Sequence, residues 1–234
     1  MEKLDFIQTG DVLLMSSITP FAILVKWTLA SEYNHIAVAV RIDDSRLPDI
    51  KVVKKGGRLC LIEFNGDDYQ NILTDQIHHG NRLVDLDDLW SKYKKLAIMR
   101  LNPIYYNKKF EKMTEIFIME NCLSVCKMDI CQPILCVLGI GENKTRETPK
   151  FCSELVSKYY QTLIPGSIQD PSKWLPSHFG RYNKDLGELF MGEEVVIKDE
   201  PHSTMDFFWS PWMVIIIFLV IIIVIYLCFK IGKN

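Results

Sequence analysis

A strong charge of either sign is missing from this sequence. Lysine and arginine number 27 against 29 aspartate and glutamate, a formal net charge of −2. So even a balance offers no basic stripe for a phosphate backbone, and no nucleic-acid partner is expected. Also missing is an apolar run near the start: residues 1–10 are a short polar lead-in, unlike the core of a secretory leader. The seven cysteines make no even-numbered framework, and Cys228 lies inside an apolar tail. Disulfide scaffolding is thereby excluded, and reduced thiols in a cytosolic domain are the expectation. No internal repeat or low-complexity segment occurs outside that tail, so the chain is not a repeat array.

Present instead is enough apolar material, 48% of 234 residues, for one sizeable core. The strongest single pattern is the uncharged run Trp212–Phe229, rich in Ile, Val, Leu and Phe. A run of about 20 apolar residues makes a helix that crosses a hydrocarbon core. Trp209, Trp212 and Tyr226 suit the interfaces, and Lys230 and Lys233 suit headgroups. The expected organisation is a domain over 1–197, a polar linker over 198–210, a membrane anchor over 211–229 and a tail over 230–234. Lys230 and Lys233 vote for a cytoplasmic tail, whereas the absent leader and the free cysteines vote for a cytosolic domain. The second is preferred: a cytosolic domain, or the equivalent outer face of a viral or host internal membrane. Glycosylation at Asn143-Lys144-Thr145 would overturn it.

Along the domain, Asp11–Met15 is a short apolar run after Gly10 that fits either a strand or a bend onto the surface. Thr19-Pro20 opens a helix through Ala30. Asn34–Arg41 alternates as a strand, with His35, Ala37 and Ala39 on one face and Ile36, Val38 and Val40 on the other. Residues 42–57 read as a hairpin connection, Arg58–Phe64 as a strand and Asn65–Asp68 as a turn. Asp85 caps a short helix containing Leu86, Leu89 and Trp90. Lys95–Leu101 is a strand, Lys108–Leu123 a helix and Glu194–Lys198 an edge strand.

Thr148-Pro149 is a helix start, with Thr148 as cap and Pro149 at the first helical position. Phe151, Cys152, Leu155, Val156, Tyr159 and Leu163 then recur with helical spacing. Cys152 thus falls in a first turn, where unpaired N–H groups and the positive dipole end favour a thiolate. A lone cysteine there equally fits a small core hydrophobe. A nucleophilic thiol needs a base and a group to orient that base. His35 has small neighbours on its face, and Glu63 is a carboxylate in an otherwise apolar strand, where burial demands a partner. Adjacent antiparallel strands would set the two side by side, with the Cys152 helix packed across them. Each also has a plainer reading: His35 as a satisfied strand-end histidine, Glu63 as a solvent-facing edge residue.

The order GDVLL, NHIAVAV, LIEFNG and FCSELVSKYY resembles the circularly permuted papain-like amidases, the YiiX-type branch of the NlpC-like superfamily with its poxvirus homologues. The resemblance covers residues 8–180, most specifically FCSELV and the upstream Asn34-His35 strand. Lecithin:retinol acyltransferases are more distant relatives. It implies an α+β papain-like fold, with Cys152 as nucleophile, His35 as base and Glu63 orienting the histidine. Asp170–Leu175 loosely matches the family's stretch after the cysteine.

Cys122, Cys126, Cys131 and Cys136 lack the paired spacing of a zinc site and sit among apolar residues. They read as core or as a hydrophobic patch. His78 and His79 are adjacent and point apart in a polar loop. No metal or cofactor is expected. The functional expectation is a membrane-anchored cysteine hydrolase or acyltransferase, acting on an amide or ester of a lipid, lipidated protein or peptide. Alternatives are a silent papain-like scaffold that binds lipid or protein, and a structural membrane component of a large DNA virus.

Overall fold

A computed structural model of the chain describes residues 4–19, 22–23, 25–26, 31–43, 50–65, 70–77, 79–123, 149, 151–180, 186 and 188–200. Its centre is an antiparallel sheet. Strands β1 (Val12–Ser16), β2 (His35–Ile42), β3 (Val52–Val53), β4 (Arg58–Asn65), β7 (Gly80–Asp85), β8 (Lys95–Leu101) and β9 (Phe190–Asp199) form it in the order β7-β4-β2-β1-β8-β9. Strand β3 pairs with the end of β2 through Arg41 and Ile42. A separate two-stranded ribbon joins β5 (Gln70–Asn71) and β6 (Gln76–Ile77). Among the described residues, helices α1 (Leu86–Trp90), α2 (Lys108–Asn121) and α3 (Cys152–Leu163) accompany the sheet.

The Asp11–Met15 run is a strand, and it lies at the heart of the sheet rather than on the surface. Every residue of β1 and β2 is buried, because both sheet faces are covered. On one face Val12, Leu14, Ile36, Val38, Ile62 and Phe64 pack against α2 and α3 through Phe117, Leu155, Val156 and Tyr159. On the other, Leu13, Met15, Ala37, Ala39, Leu61 and Val84 meet Ile7, Leu86, Leu89 and Tyr93. Burial of each large side chain removes it from water at a gain of roughly 1.5–3 kcal/mol. The lead-in is therefore part of the core, and Arg41 ties it down by donating to the carbonyls of Leu4 and Ile7 at 2.7 and 2.8 Å.

Helix α3 is fastened to the turn before β1. Tyr160 donates its hydroxyl to the Gly10 carbonyl at 2.5 Å, and Gly10 N–H donates to Ala39. Gly10 has φ +91°, and a Cβ there would lie 2.6 Å from Leu101 Cδ2. Both constraints demand glycine. The Tyr159 hydroxyl pairs with Thr114 of α2 at 2.9 Å, so both buried phenols are satisfied.

Strand β8 and helix α1 follow their expected bounds, and Asp85 caps α1 by accepting from Asp87 N–H. Strand β9 is longer than the apolar pattern at Glu194–Lys198, and it carries the sheet to Asp199, past the expected start of the linker. Residues 22, 23, 25 and 26 are helical, within the expected 19–30 span. Among the described residues no helix is long and apolar enough to cross a membrane. The 211–229 span, the sequon, His78, Thr148 and Cys126, Cys131 and Cys136 lie outside the described residues.

Candidate functional site

His35, Asn65 and Gly80 all lie at one end of the sheet, where β2 and β7 begin and β4 ends. The register Val38↔Ile62 brings His35 towards Glu63 from the neighbouring strand, and Glu63↔Arg82 puts Arg82 directly opposite it, all on one face. The His35 Nε2 and Glu63 Oε2 atoms are 2.9 Å apart, with the carboxylate wholly buried. The other oxygen, Oε1, accepts from Arg82 Nε at 2.9 Å and Nη2 at 2.7 Å. Glu63 is thus no edge residue facing solvent. The structure brings His35 and Glu63 together as expected and adds a cation, Arg82, behind them.

Helix α3 begins at Cys152, with Phe151 as its N-cap. This corrects the expected start: Phe151 has the extended cap backbone, and Pro149 lies ahead of the helix. Phe151 supplies no side-chain oxygen, and the first intrahelical bond runs from Leu155 N–H to the Phe151 carbonyl. The helix itself therefore leaves the first-turn N–H groups without intrahelical acceptors, with the positive dipole end at the cysteine. Cys152 is half-buried, unlike the fully buried Cys60 and Cys122.

The helix packs across the strands on the Ile36–Val38 face, whereas Glu63 and Arg82 belong to the opposite one. Cys152 lies close enough to His35, the first residue of β2, to bear on its charge. Burial works against charge on His35, yet the charge and hydrogen bond of Cys152, then those of Glu63, outweigh it and lift the imidazole to about 9. Burial opposes ionisation of Glu63 too, but the hydrogen bond and charge of His35, followed by Arg82, hold its carboxyl down at about 2. The Cys60 thiol is pushed up to about 12 by burial and by Asp85, and burial alone pushes the Cys122 thiol up. Neither has thiolate character near neutral pH.

Two further neighbours shape the site. The Tyr93 ring lies parallel to the His35 ring, at 4° and 5.8 Å between centroids. Ser153 Oγ donates to the Trp174 carbonyl at 2.7 Å, holding the 170–175 segment against the start of α3. Asp170 caps the 3-10 turn Pro171–Lys173 by accepting from Ser172 N–H. The expected loose match at Asp170–Leu175 thus falls on a segment that packs beside the cysteine.

Arg82 and Tyr93 escaped the sequence reading. Strand β7 has no clean alternation, because Asn81 and Arg82 are buried beside Leu83 and Val84. The available signal was indirect: a buried glutamate in β4 needs a cation, and Arg82 lies on the next strand between Gly80 and the Asp85 cap. Among the described residues no group of His, Cys, Asp and Glu could hold a metal ion.

No family model matches the sequence, and no curated protein matches it. Among solved structures, the crystal structure of metalloprotein yiiX from Escherichia coli O157:H7 is similar to it at 12% identity and a TM-score of 0.43. The match covers 67% of this chain and 66% of that one, so the chain spans just under two thirds of its length.

Proposed function

We propose that the chain is a cysteine hydrolase or acyltransferase in which Cys152 is the nucleophile, His35 its proton partner and Glu63 the anion that orients His35. The observation that carries this reading is an imidazole held at 2.9 Å by a buried carboxylate, with Cys152, at the first position of α3, close enough to bear on its charge. A small core hydrophobe needs no such partner. A strand-end histidine would be satisfied by Glu63 alone.

The chemistry follows from the geometry. In the reactive form His35 is the imidazolium and Cys152 the thiolate. The thiolate attacks an amide or ester carbonyl carbon, forming a C–S bond while the carbonyl π electrons move onto oxygen. The N–H groups of the first turn of α3 are oriented to receive that oxyanion. The C–N or C–O bond then breaks as His35 gives its proton to the leaving group, leaving a thioester. Water or another acceptor, deprotonated by His35, attacks the thioester and restores the thiolate. Glu63 stays ionised throughout, holding the imidazole in place. The uncharged 211–229 run is proposed to span a membrane and to present this site to lipid, lipidated protein or membrane-bound peptide.

The test is an acyl-enzyme trap on the full chain in detergent. Incubation with a series of p-nitrophenyl acyl esters, quenched in acid, should leave one acyl mass increment on the peptide containing Cys152. Cys152→Ala should abolish it. Acylation spread over other residues, or none above the Cys152→Ala background, would support a non-catalytic binding role instead.

A further inference from the structure

A guanidinium with no exposure to water is costly unless its charge is compensated. Arg82 is such a group, and it spends both Nε and Nη2 on a single oxygen of Glu63. The cross-strand register sets this arrangement, since Arg82 stands directly opposite Glu63 while His35 approaches from the next strand. The two carboxylate oxygens are thereby divided: Oε1 belongs to Arg82, and Oε2, at 2.9 Å, to His35. From the edge strand β7 across β4 to the start of β2, the groups alternate in charge as Arg82, Glu63, His35 and Cys152. Counted over these four groups alone, Arg82 brings the sum to zero whether the last two are an ion pair or both uncharged. Without it, the same groups carry a net buried negative charge in both states.

From this division we infer that Arg82 is a positioning residue of the site: its fork fixes Glu63 as a permanent anion with Oε2 aimed at His35, confining the mobile proton to the His35–Cys152 pair. The inference rests on the cysteine-nucleophile reading, because only then does a mobile proton matter. A carboxylate facing His35 alone would share that proton more readily. Removing a nearby positive charge raises every proton affinity in the cluster, so the acid titration of Glu63 moves up. Two Arg82 donors converging on Oε1 also hold that oxygen in place, which a single ammonium contact cannot do equally well.

The experiment follows the Glu63 carboxyl by carbon-13 NMR in full-length protein labelled at glutamate, assigned with Glu63→Gln, over pH 2–8. In parallel, iodoacetamide alkylation of Cys152 is timed at pH 6. In the wild type the Glu63 resonance should titrate only at the acid extreme. In Arg82→Met its midpoint should rise by more than one pH unit, with Cys152 alkylation slowed at least fivefold. Arg82→Lys, which keeps the charge but loses the fork, should raise the midpoint by at least half a unit and recover part of the alkylation rate. A folded Arg82→Met with an unmoved midpoint would reduce Arg82 to a structural ion and overturn the inference. If Arg82→Met does not fold, adding Glu63→Gln should restore folding, since the neutral pair needs no compensation. A double variant that also fails to fold would overturn it. The two readings fail separately: slow wild-type alkylation sinks the nucleophile, whereas fast alkylation unchanged in folded Arg82→Met sinks only the role of Arg82.

Discussion

Glu63 Oε2 lies 2.9 Å from His35 Nε2, and the carboxylate is sealed from water. Removing either partner therefore does more than delete a hydrogen bond, because the groups left behind are buried charges. Glu63→Ala removes the buried carboxylate that Arg82 and His35 share and should cost about 3–5 kcal/mol of stability. Glu63→Gln preserves shape and one acceptor and should cost less. Both should lower the pKa of His35, since Glu63 is among the causes that raise it. Urea unfolding and proton NMR of the imidazole check the two effects.

The same pair sets a stability window. Glu63 falls from its ordinary 4.5 to about 2 on folding, so its contribution is present above 4.5 and is lost as pH falls towards 2. His35 rises from 6.5 to about 9, so its contribution is complete below 6.5 and is lost as pH rises through 9. Urea midpoints should therefore hold between about pH 4.5 and 6.5 as far as these two groups decide. His35→Gln should flatten the alkaline decline, and an unchanged decline would assign it to other groups.

Ser153 should matter beyond its size. Its hydroxyl ties the first turn of α3 to the Trp174 carbonyl. Ser153→Ala removes a bond of about 0.5–1.5 kcal/mol. The expected result is a matching drop in unfolding free energy, with faster hydrogen exchange confined to residues near 170–175.

Gly10 and Tyr160 hold the other end of α3. Gly10→Ala meets both a left-handed φ and a 2.6 Å approach to Leu101, so it should destabilise by about 1–3 kcal/mol. Tyr160→Phe leaves the buried Gly10 carbonyl without its donor and should cost about 1–3 kcal/mol. Because both changes act on one contact, the double variant should lose less than the sum of the singles in urea unfolding.

Much of this architecture was legible because it is local. Strand β8 ends at Asn102-Pro103, α1 begins at a capping aspartate, and β2 and β4 alternate cleanly enough to place His35 with Ala37 and Glu63 with Leu61. What escaped depends on distant partners. Arg82 becomes interpretable only when β7 is seen beside β4, and a buried arginine breaks the apolar period that would reveal the strand. The start of α3 misled for the opposite reason. Thr148-Pro149 carries the local marks of a helix start, but the chain enters the helix at Phe151, which is held by burial rather than by a capping oxygen. The approach of Cys152 to His35 at the sheet's end, from a helix packed on the reverse face, is likewise a property of tertiary packing.

The proposed activation of Cys152 by His35 is read out by alkylation kinetics. In full-length protein at pH 6, iodoacetamide should modify Cys152 faster than it modifies free glutathione, because His35 remains protonated there. His35→Ala should slow that reaction at least tenfold in a protein that stays folded. A Cys152 that reacts no faster than glutathione, at a rate untouched by His35→Ala, would contradict the account.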